Sequence, residues 1–357
     1  MSETALRPQR RPAVALAERG LLPDRVIRAG IRSLLDQRLK SLPHRGGPHA
    51  PDYLERFTST LAASSIATLT DKANEQHYEL PAAFFRLVLG PHLKYSSAFW
   101  AHAPAHPPSL ARAEAEALRL TCEHARLGDA QRILELGCGW GSLTLWMAEN
   151  YPRSRITAVS NSHSQRAYIL GEAARRGFSN VTVLTADMND FRPDGRFDRV
   201  VSVEMFEHLR NWPEVFRRVE DWLVPGGYFF LHVFAHRSTP YLFEVADASD
   251  WMSAHFFSGG MMPSDELAVR VAGRLAVRER WRWSGVHYRD TAEAWLGNLD
   301  AHRAEVLQIF KDVYGAQARQ WLQRWRIFFM ACAELFGHDD GREWGVSHYL
   351  LERTSSG

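Results

Sequence analysis

Cysteine is scarce in this chain. Three residues, Cys122, Cys138 and Cys332, are scattered over 357 positions. No two of them have the spacing of a zinc-ligand pair, and an odd number in a chain of this length gives no disulfide framework. No metal centre is expected, and a reducing, cytoplasmic setting is. Long apolar runs are also missing. Nothing approaches the ~20 residues that span a bilayer, and the start has no hydrophobic signal core. Neither sign of charge dominates: 43 Lys and Arg stand against 41 Asp and Glu, for a net +2. That balance is too mild to imply nucleic acid as a partner. No internal repeat or low-complexity segment is visible. Apolar side chains are what the chain has in quantity, 45% hydrophobic and 11% aromatic, enough to bury a substantial core.

The chain divides into four passages. Residues 1–20 are Pro- and Arg-rich and read as a flexible tail. Residues 21–128 repeat apolar positions at helical spacing, as in VIRAGIRSLLDQRL and FFRLVLGPHLKY, with Pro/His clusters between short helices. Residues 129–235 alternate strands with helices: RILELG, RITAVSN, VTVLTAD, FDRVVSVEMF and GGYFFLHVFA are strand candidates. Short links between them argue for an α/β fold with a mostly parallel sheet covered on both faces. Residues 236–357 read as a helical insertion after the fifth strand, plus two strands, LAVRERWRWS and EWGVSHYLLER, that return to the sheet edge. The basic run RVIRAGIRSLLDQRLK is read first as a solvated helix face. Its alternative is weak contact with an anionic membrane surface. That contact and a homodimer stay open.

Three strand ends carry polar groups suited to a ligand. ILELGCGWGSL places Glu135 two residues before Gly137, followed by Gly139 and Gly141 at a helix start. Such a turn brings the backbone close to a ligand. The third strand ends at Asp187, with Met188 after it. The second ends in SNSHSQ, where Asn161 is followed by Gln165 rather than an acid. Each residue alone could be a cap or a turn. Together, at successive strand ends, they form one site.

The run E-L-G-C-G-W-G resembles the first motif of S-adenosylmethionine-dependent methyltransferases. ANEQHYELPAAFFRLVLGPHLKYSSAFW, MFEH, PGG at 225–227, HFFSGGMMPS, SGVHYRDTAEAW and ELFGHDDGREWGVSHYLL extend the likeness from about residue 70 to the end. Together they resemble the cyclopropane fatty acid synthase and coclaurine N-methyltransferase group. The resemblance implies a Rossmann-like, seven-stranded class I methyltransferase sheet and S-adenosyl-L-methionine as cofactor, leaving as S-adenosyl-L-homocysteine. It also implies that Tyr95 and Ser96 line the cofactor, Gln165 takes the ribose and Asp187 the adenine. The cyclopropane branch holds a bicarbonate base with four side chains. The positions matching them here are Ser97, Glu207, Arg282 and Phe328 or Phe329, and only the glutamate is kept. The amine branch has E-x-x-E-H, which Glu204, Glu207 and His208 reproduce. An N-methyltransferase acting on a small aromatic or cyclic amine is therefore the expectation, with a lipid methyltransferase or cyclopropane synthase as the alternative.

Physical chemistry supports that choice. Methyl transfer moves positive charge onto the acceptor nitrogen, and a carboxylate in a dry site stabilises it. An ammonium must also lose a proton before it can attack. The spacing predicts one helical turn with all three side chains on one face. Glu207 and His208 are assigned to proton removal and Glu204 to attraction of the amine. Tyr78, Phe84, Trp100, Tyr241, Phe256, Phe257, Met261 and Met262 are candidates for an apolar wall, and His287 for a polar contact there. His232, His255 and His348 are read as structural.

Overall fold

The computed structural model describes residues 12–43, 50–68, 80–101, 108–244 and 250–354. Nine strands are present among them: β1 Arg132–Leu136, β2 Arg155–Ser160, β3 Val181–Thr185, β4 Phe197–Val203, β5 Leu223–His236, β6 Tyr241–Leu242, β7 Met261–Met262, β8 Leu275–Ser284 and β9 Trp344–Arg353. Seven form one sheet in the order β3-β2-β1-β4-β5-β9-β8. β1 to β5 pair in parallel, whereas β9 runs antiparallel to both β5 and β8. The order reverses between β1 and β4, so a crevice opens beyond their carboxyl ends, where sheets of this kind bind ligands.

The helices are α1 Pro12–Glu18, α2 Asp24–Ser41, α3 Ala50–Ala62, α4 Ala82–Val88, α5 Leu110–His124, α6 Ser142–Asn150, α7 His163–Arg176, α8 Trp212–Trp222, α9 Trp251–His255, α10 Leu267–Arg270, α11 Gly285–Ala301, α12 Arg303–Tyr314 and α13 Ala318–Gly337. Strand periodicity sorts the core into layers. Ile133, Val201 and Phe230 pack with Leu118, Leu143 and Met147 of α5 and α6 on one face. Leu134, Val200, Phe229 and Leu231 pack with Val215, Phe216 and Val219 of α8 on the other. A separate apolar cluster joins α4 to α11, α12 and α13 through Phe84, Trp295, Phe310 and Trp325. The stretch expected as a helical insertion after β5 begins with the small β6–β7 pair instead of helix, and α11, α12 and α13 lie between β8 and β9.

Two expectations for the N-terminal region change. Residues 12–18 form α1 rather than a tail, and the rest of the expected tail, residues 1–11, lies outside the described residues. Glu18 at its end is buried, accepting hydrogen bonds from Arg324, Gln320 and Trp251. The basic face of α2 is also largely spoken for within the chain. Arg28 donates to Glu293 and Glu334, Arg32 to Glu334 and Arg38 to Asp250. Among the described residues, no helix is long and apolar enough to cross a membrane.

Candidate active site

One cavity lies beyond the ends of β1, β2, β3 and β4. Tyr95, Ser96, Glu135, Gly137, Gly139, Asn161, Gln165, Asp187 and Met188 line it, and so do Glu204 and His208. Residues far apart in the chain meet there because β1 and β4 are neighbours and the 93–96 segment folds over them. Gly141 stands behind the lining, with φ +81. A Cβ there would lie 2.6 Å from Ile169 Cγ1, so the turn into α6 requires glycine twice over.

The lining fits the cofactor. Thr121 Oγ1, Trp140 Nε1, Ser142 Oγ and Gln165 Nε2 are buried with no partner among the described residues, and all four residues border the cavity. Buried polar atoms of this kind call for a polar ligand. Ser160 Oγ donates to Gln165 Oε1 at 2.6 Å, which turns the amide nitrogen of Gln165 free for a ligand oxygen. Glu135 accepts from Thr144 Oγ1 at 2.5 Å. Burial pushes its carboxyl up to about 7, so a cationic ammonium beside it would restore the charge. Asp187 is half-buried and accepts the backbone N–H of Asn189 at 2.7 Å. It serves as a local turn anchor as well as lining the cavity.

At the opposite wall the predicted helical turn is not formed as read. β4 ends at Val203, Glu204 takes a left-handed φ of +46, and only Phe206–His208 makes a short 3-10 turn. The two carboxylates therefore separate. Glu204 lines the cavity; Glu207 does not. Glu207 has no exposed surface, accepts the backbone N–H of Phe234 at 2.8 Å, and has no partner for its Oε2 among the described residues. Burial, then the charge of Glu204, raises its carboxyl well above 4.5. It is a buried acid behind the wall, with ionisation disfavoured.

Glu204 is held by three groups. The Ser97 backbone N–H donates to Oε1 at 2.8 Å, Tyr288 Oη donates to Oε2 at 2.7 Å, and His232 Nε2 lies 3.1 Å from Oε1. Burial raises the Glu204 carboxyl, and the charge of Lys94 opposes that rise most. Lys94 is itself buried, donating to Ser96 Oγ at 2.5 Å and Ser97 O at 2.7 Å, with its ammonium pushed down to about 8 by burial. His208 rests against Phe257 at 4.5 Å between ring centroids. Burial lowers its imidazole to about 4, which keeps it neutral at pH 7. Lys94, His232 and Tyr288 were not singled out for roles from the sequence. Their one signal was position: Lys94 precedes Tyr95 and Tyr288 follows His287.

The expected apolar wall is mostly core. Phe84, Phe256, Met261 and Met262 have essentially no exposed surface, and Tyr241 is bonded by Trp344 Nε1. His287 Nδ1 accepts the Trp100 N–H at 3.1 Å, away from the cavity lining. Among the described candidates, Phe257 touches the site, through His208. Tyr78 lies outside the described residues. The bicarbonate set is not gathered either. Arg282 is exposed on β8 and paired with Asp265, while Phe328 and Phe329 are buried in the core around α13. Among the described residues, no group of three or more His, Cys, Asp or Glu could hold a metal ion.

Comparison with known proteins decides the family. The mycolic acid cyclopropane synthetase family model matches residues 67–342. (S)-Coclaurine N-methyltransferase of Thalictrum flavum subsp. glaucum is 34% identical over 94% of this chain and 94% of its own length. The chain belongs to the coclaurine N-methyltransferase-like branch of this family. A crystal structure of coclaurine N-methyltransferase bound to N-methylheliamine and S-adenosylhomocysteine superposes with a TM-score of 0.90 at 33% identity, covering 95% of this chain and 98% of that one. Cyclopropane-fatty-acyl-phospholipid synthase of Escherichia coli (strain K12) is more distant, 28% identical over 90% of this chain and 76% of its own length. This N-methyltransferase thus takes S-adenosylmethionine as its methyl donor.

Proposed function

We propose that the acceptor is a small cyclic or aromatic amine of the tetrahydroisoquinoline kind, and that Glu204 and His208 act on it directly. The observation that carries this reading is the Glu204 carboxylate. It stands on a left-handed backbone, is fixed by three partners, and faces the same cavity as His208. The relatives named for amine methylation support the amine. The dispersed bicarbonate positions, and the ion pairs that occupy the basic face of α2, weigh against a lipid acceptor.

The bound cofactor supplies an electrophilic methyl group. Glu204 attracts the ammonium form of the amine and accepts one of its N–H protons, for which burial makes its carboxylate a stronger base than usual. Neutral His208 accepts the hydrogen bond of a remaining N–H and aims the nitrogen lone pair. As the methyl transfers, Glu204, now protonated, and neutral His208 hold the nitrogen in line in a largely water-excluded wall. Glu207 positions the turn through its bond from Phe234 rather than touching the amine. This moves to Glu204 the proton removal that the spacing had assigned to Glu207 and leaves Glu207 a positioning residue.

Mass spectrometry after incubation with S-adenosylmethionine tests the reading, with a panel of aromatic and cyclic amines in one set of tubes and unsaturated phospholipid vesicles in another. One methyl gained by an amine is the expected result. One carbon gained by lipid acyl chains, with every amine untouched, would overturn it.

A further inference from the structure

Three histidines link Glu204 to the protein surface. His232 Nε2 lies 3.1 Å from Glu204 Oε1, His232 Nδ1 lies 2.9 Å from His348 Nε2, and His348 Nδ1 lies 2.9 Å from His124 Nδ1. His232 and His348 face each other directly across the β5–β9 pair, and His124 ends α5. The first two have no exposed surface. His124 is half-buried, its ring stacked on Trp281 at 4.0 Å and 3°. The surroundings of the inner pair are aromatic: Phe230 and Trp283 pack on His348, and Trp283 on His232. Apolar residues at both strand positions would leave nothing unsatisfied between them, so packing alone does not call for imidazoles.

We propose that this row carries the amine's proton from Glu204 to solvent. The proposal rests on the amine reading above, because a proton must leave only if the acceptor arrives as an ammonium. The receiving state has His232 and His348 protonated on Nδ1 and His124 on Nε2. The N–H bond of the ammonium breaks and an O–H bond forms on Glu204. That proton passes to His232 Nε2, the His232 Nδ1 proton to His348 Nε2, and the His348 Nδ1 proton to His124 Nδ1. The His124 Nε2 proton leaves to water. One proton is released per methyl transferred, nothing is oxidised, and each ring resets for the next turnover by flipping about its Cβ–Cγ bond, which carries its N–H back to the side facing outward.

Charge placement favours passage over storage. Lys94 faces Glu204, His232 and His348, and its ammonium opposes a cation resting on either inner ring. At the outer end burial lowers the His124 imidazole, as Arg119 does, while Glu123 and Glu279 oppose that lowering. Buried throughout its inner length, the row gives a proton on Glu204 a route that does not cross the cofactor cavity.

The test uses 1,2,3,4-tetrahydroisoquinoline in single-turnover reactions at pH 7, with methylated product read by quench and mass spectrometry and proton release by an indicator dye. In the wild type both should rise together. In His124→Ala, proton release should lag methylation about tenfold, less than the 10²–10⁴ typical of a directly acting acid or base. Imidazole added to the buffer should close that lag, and it should vanish above the amine's own pKa, where the amine arrives neutral. His348→Gln should show the lag without rescue, because its site is closed to solvent. S-Adenosylhomocysteine affinity reports that each variant is folded; if His348→Gln is not, His124→Ala and its rescue decide. Release in step with product in the variants, or a lag unmoved by imidazole and by pH, would overturn the proposal. No methylated amine from the wild type would overturn the acceptor reading and this proposal together.

Discussion

A left-handed backbone at a non-glycine residue costs about 1–2 kcal/mol, and Glu204 carries that conformation at φ +46. Strain of this kind persists where surroundings over-determine it, here through Ser97, Tyr288 and His232. Glu204→Gln keeps the shape and removes the charge. It should lower kcat by about 10²–10³, in the range for a lost acid–base or electrostatic group, with cofactor affinity little changed. Steady-state kinetics beside calorimetric binding of S-adenosylhomocysteine reads both; equal losses would make Glu204 part of the cofactor site. Glu207 predicts something different. Its folded pKa is raised above the usual 4.5 by burial and then by Glu204. Its contribution to stability is therefore full below about 4.5 and lost as pH rises toward the folded value. Glu207→Gln does not titrate, so its melting temperature relative to wild type should climb with pH from about 4.5 upward. A difference constant with pH, measured by scanning calorimetry, would contradict a buried neutral acid.

At the scale of elements, α1 shows what spacing cannot reveal. Seven residues are too few to hold a helix alone, and PAVALAE offers little beyond propensity. The helix exists because Glu18 reaches α9 and α13. Burial raises the Glu18 carboxyl, but hydrogen bonds from Arg324, Trp251 and Gln320 outweigh that and leave it below 4.5. Its stabilisation is thus present above about 4.5 and is lost as pH falls through the lower folded value. Glu18→Gln should destabilise by about 3 kcal/mol, the cost of leaving a buried partner unpaired, and expose α1 to limited proteolysis. A resistant α1 in that variant would mean that Ala17 and its apolar neighbours hold it. The strands, by contrast, were legible nearly to the residue. Alternating faces such as Ile133 against Leu134 write a period of two into the chain. The fourth strand was read too long because MF is as apolar as what precedes it; only the turn at Glu204 ends it.

The whole molecule couples folding, cofactor and pH through Glu135. In the protein without ligand its carboxyl sits near 7, so below that value it lacks the charge that would meet the cofactor's ammonium. Affinity for S-adenosylhomocysteine should fall about tenfold per pH unit below about 7 and be level just above it. The ligand-induced rise in melting temperature should follow the same course. Titration calorimetry across pH 5.5–8 with Glu135→Gln as control checks this; a wild-type profile as flat as the variant's would remove Glu135 from the binding charge balance.

The sequence by itself determined the alternating sheet, the glycine turn after Glu135, the polar residues at three strand ends that line one cavity, and the family's acid–acid–histidine run. All of these are local patterns, set by backbone period, by φ that glycine tolerates, or by residues adjacent in the chain. Tertiary structure alone decided which glutamate of that run faces the cavity, because one left-handed residue turns Glu204 outward and sends Glu207 behind the wall. It also decided that Lys94, Tyr288 and His232 surround Glu204, and that His348 and His124 continue from His232. Those contacts join β4 to β5, β9, α5 and α11, over separations no spacing rule spans. Charge states followed from the same packing, since burial shifts a proton equilibrium only once the fold has excluded water.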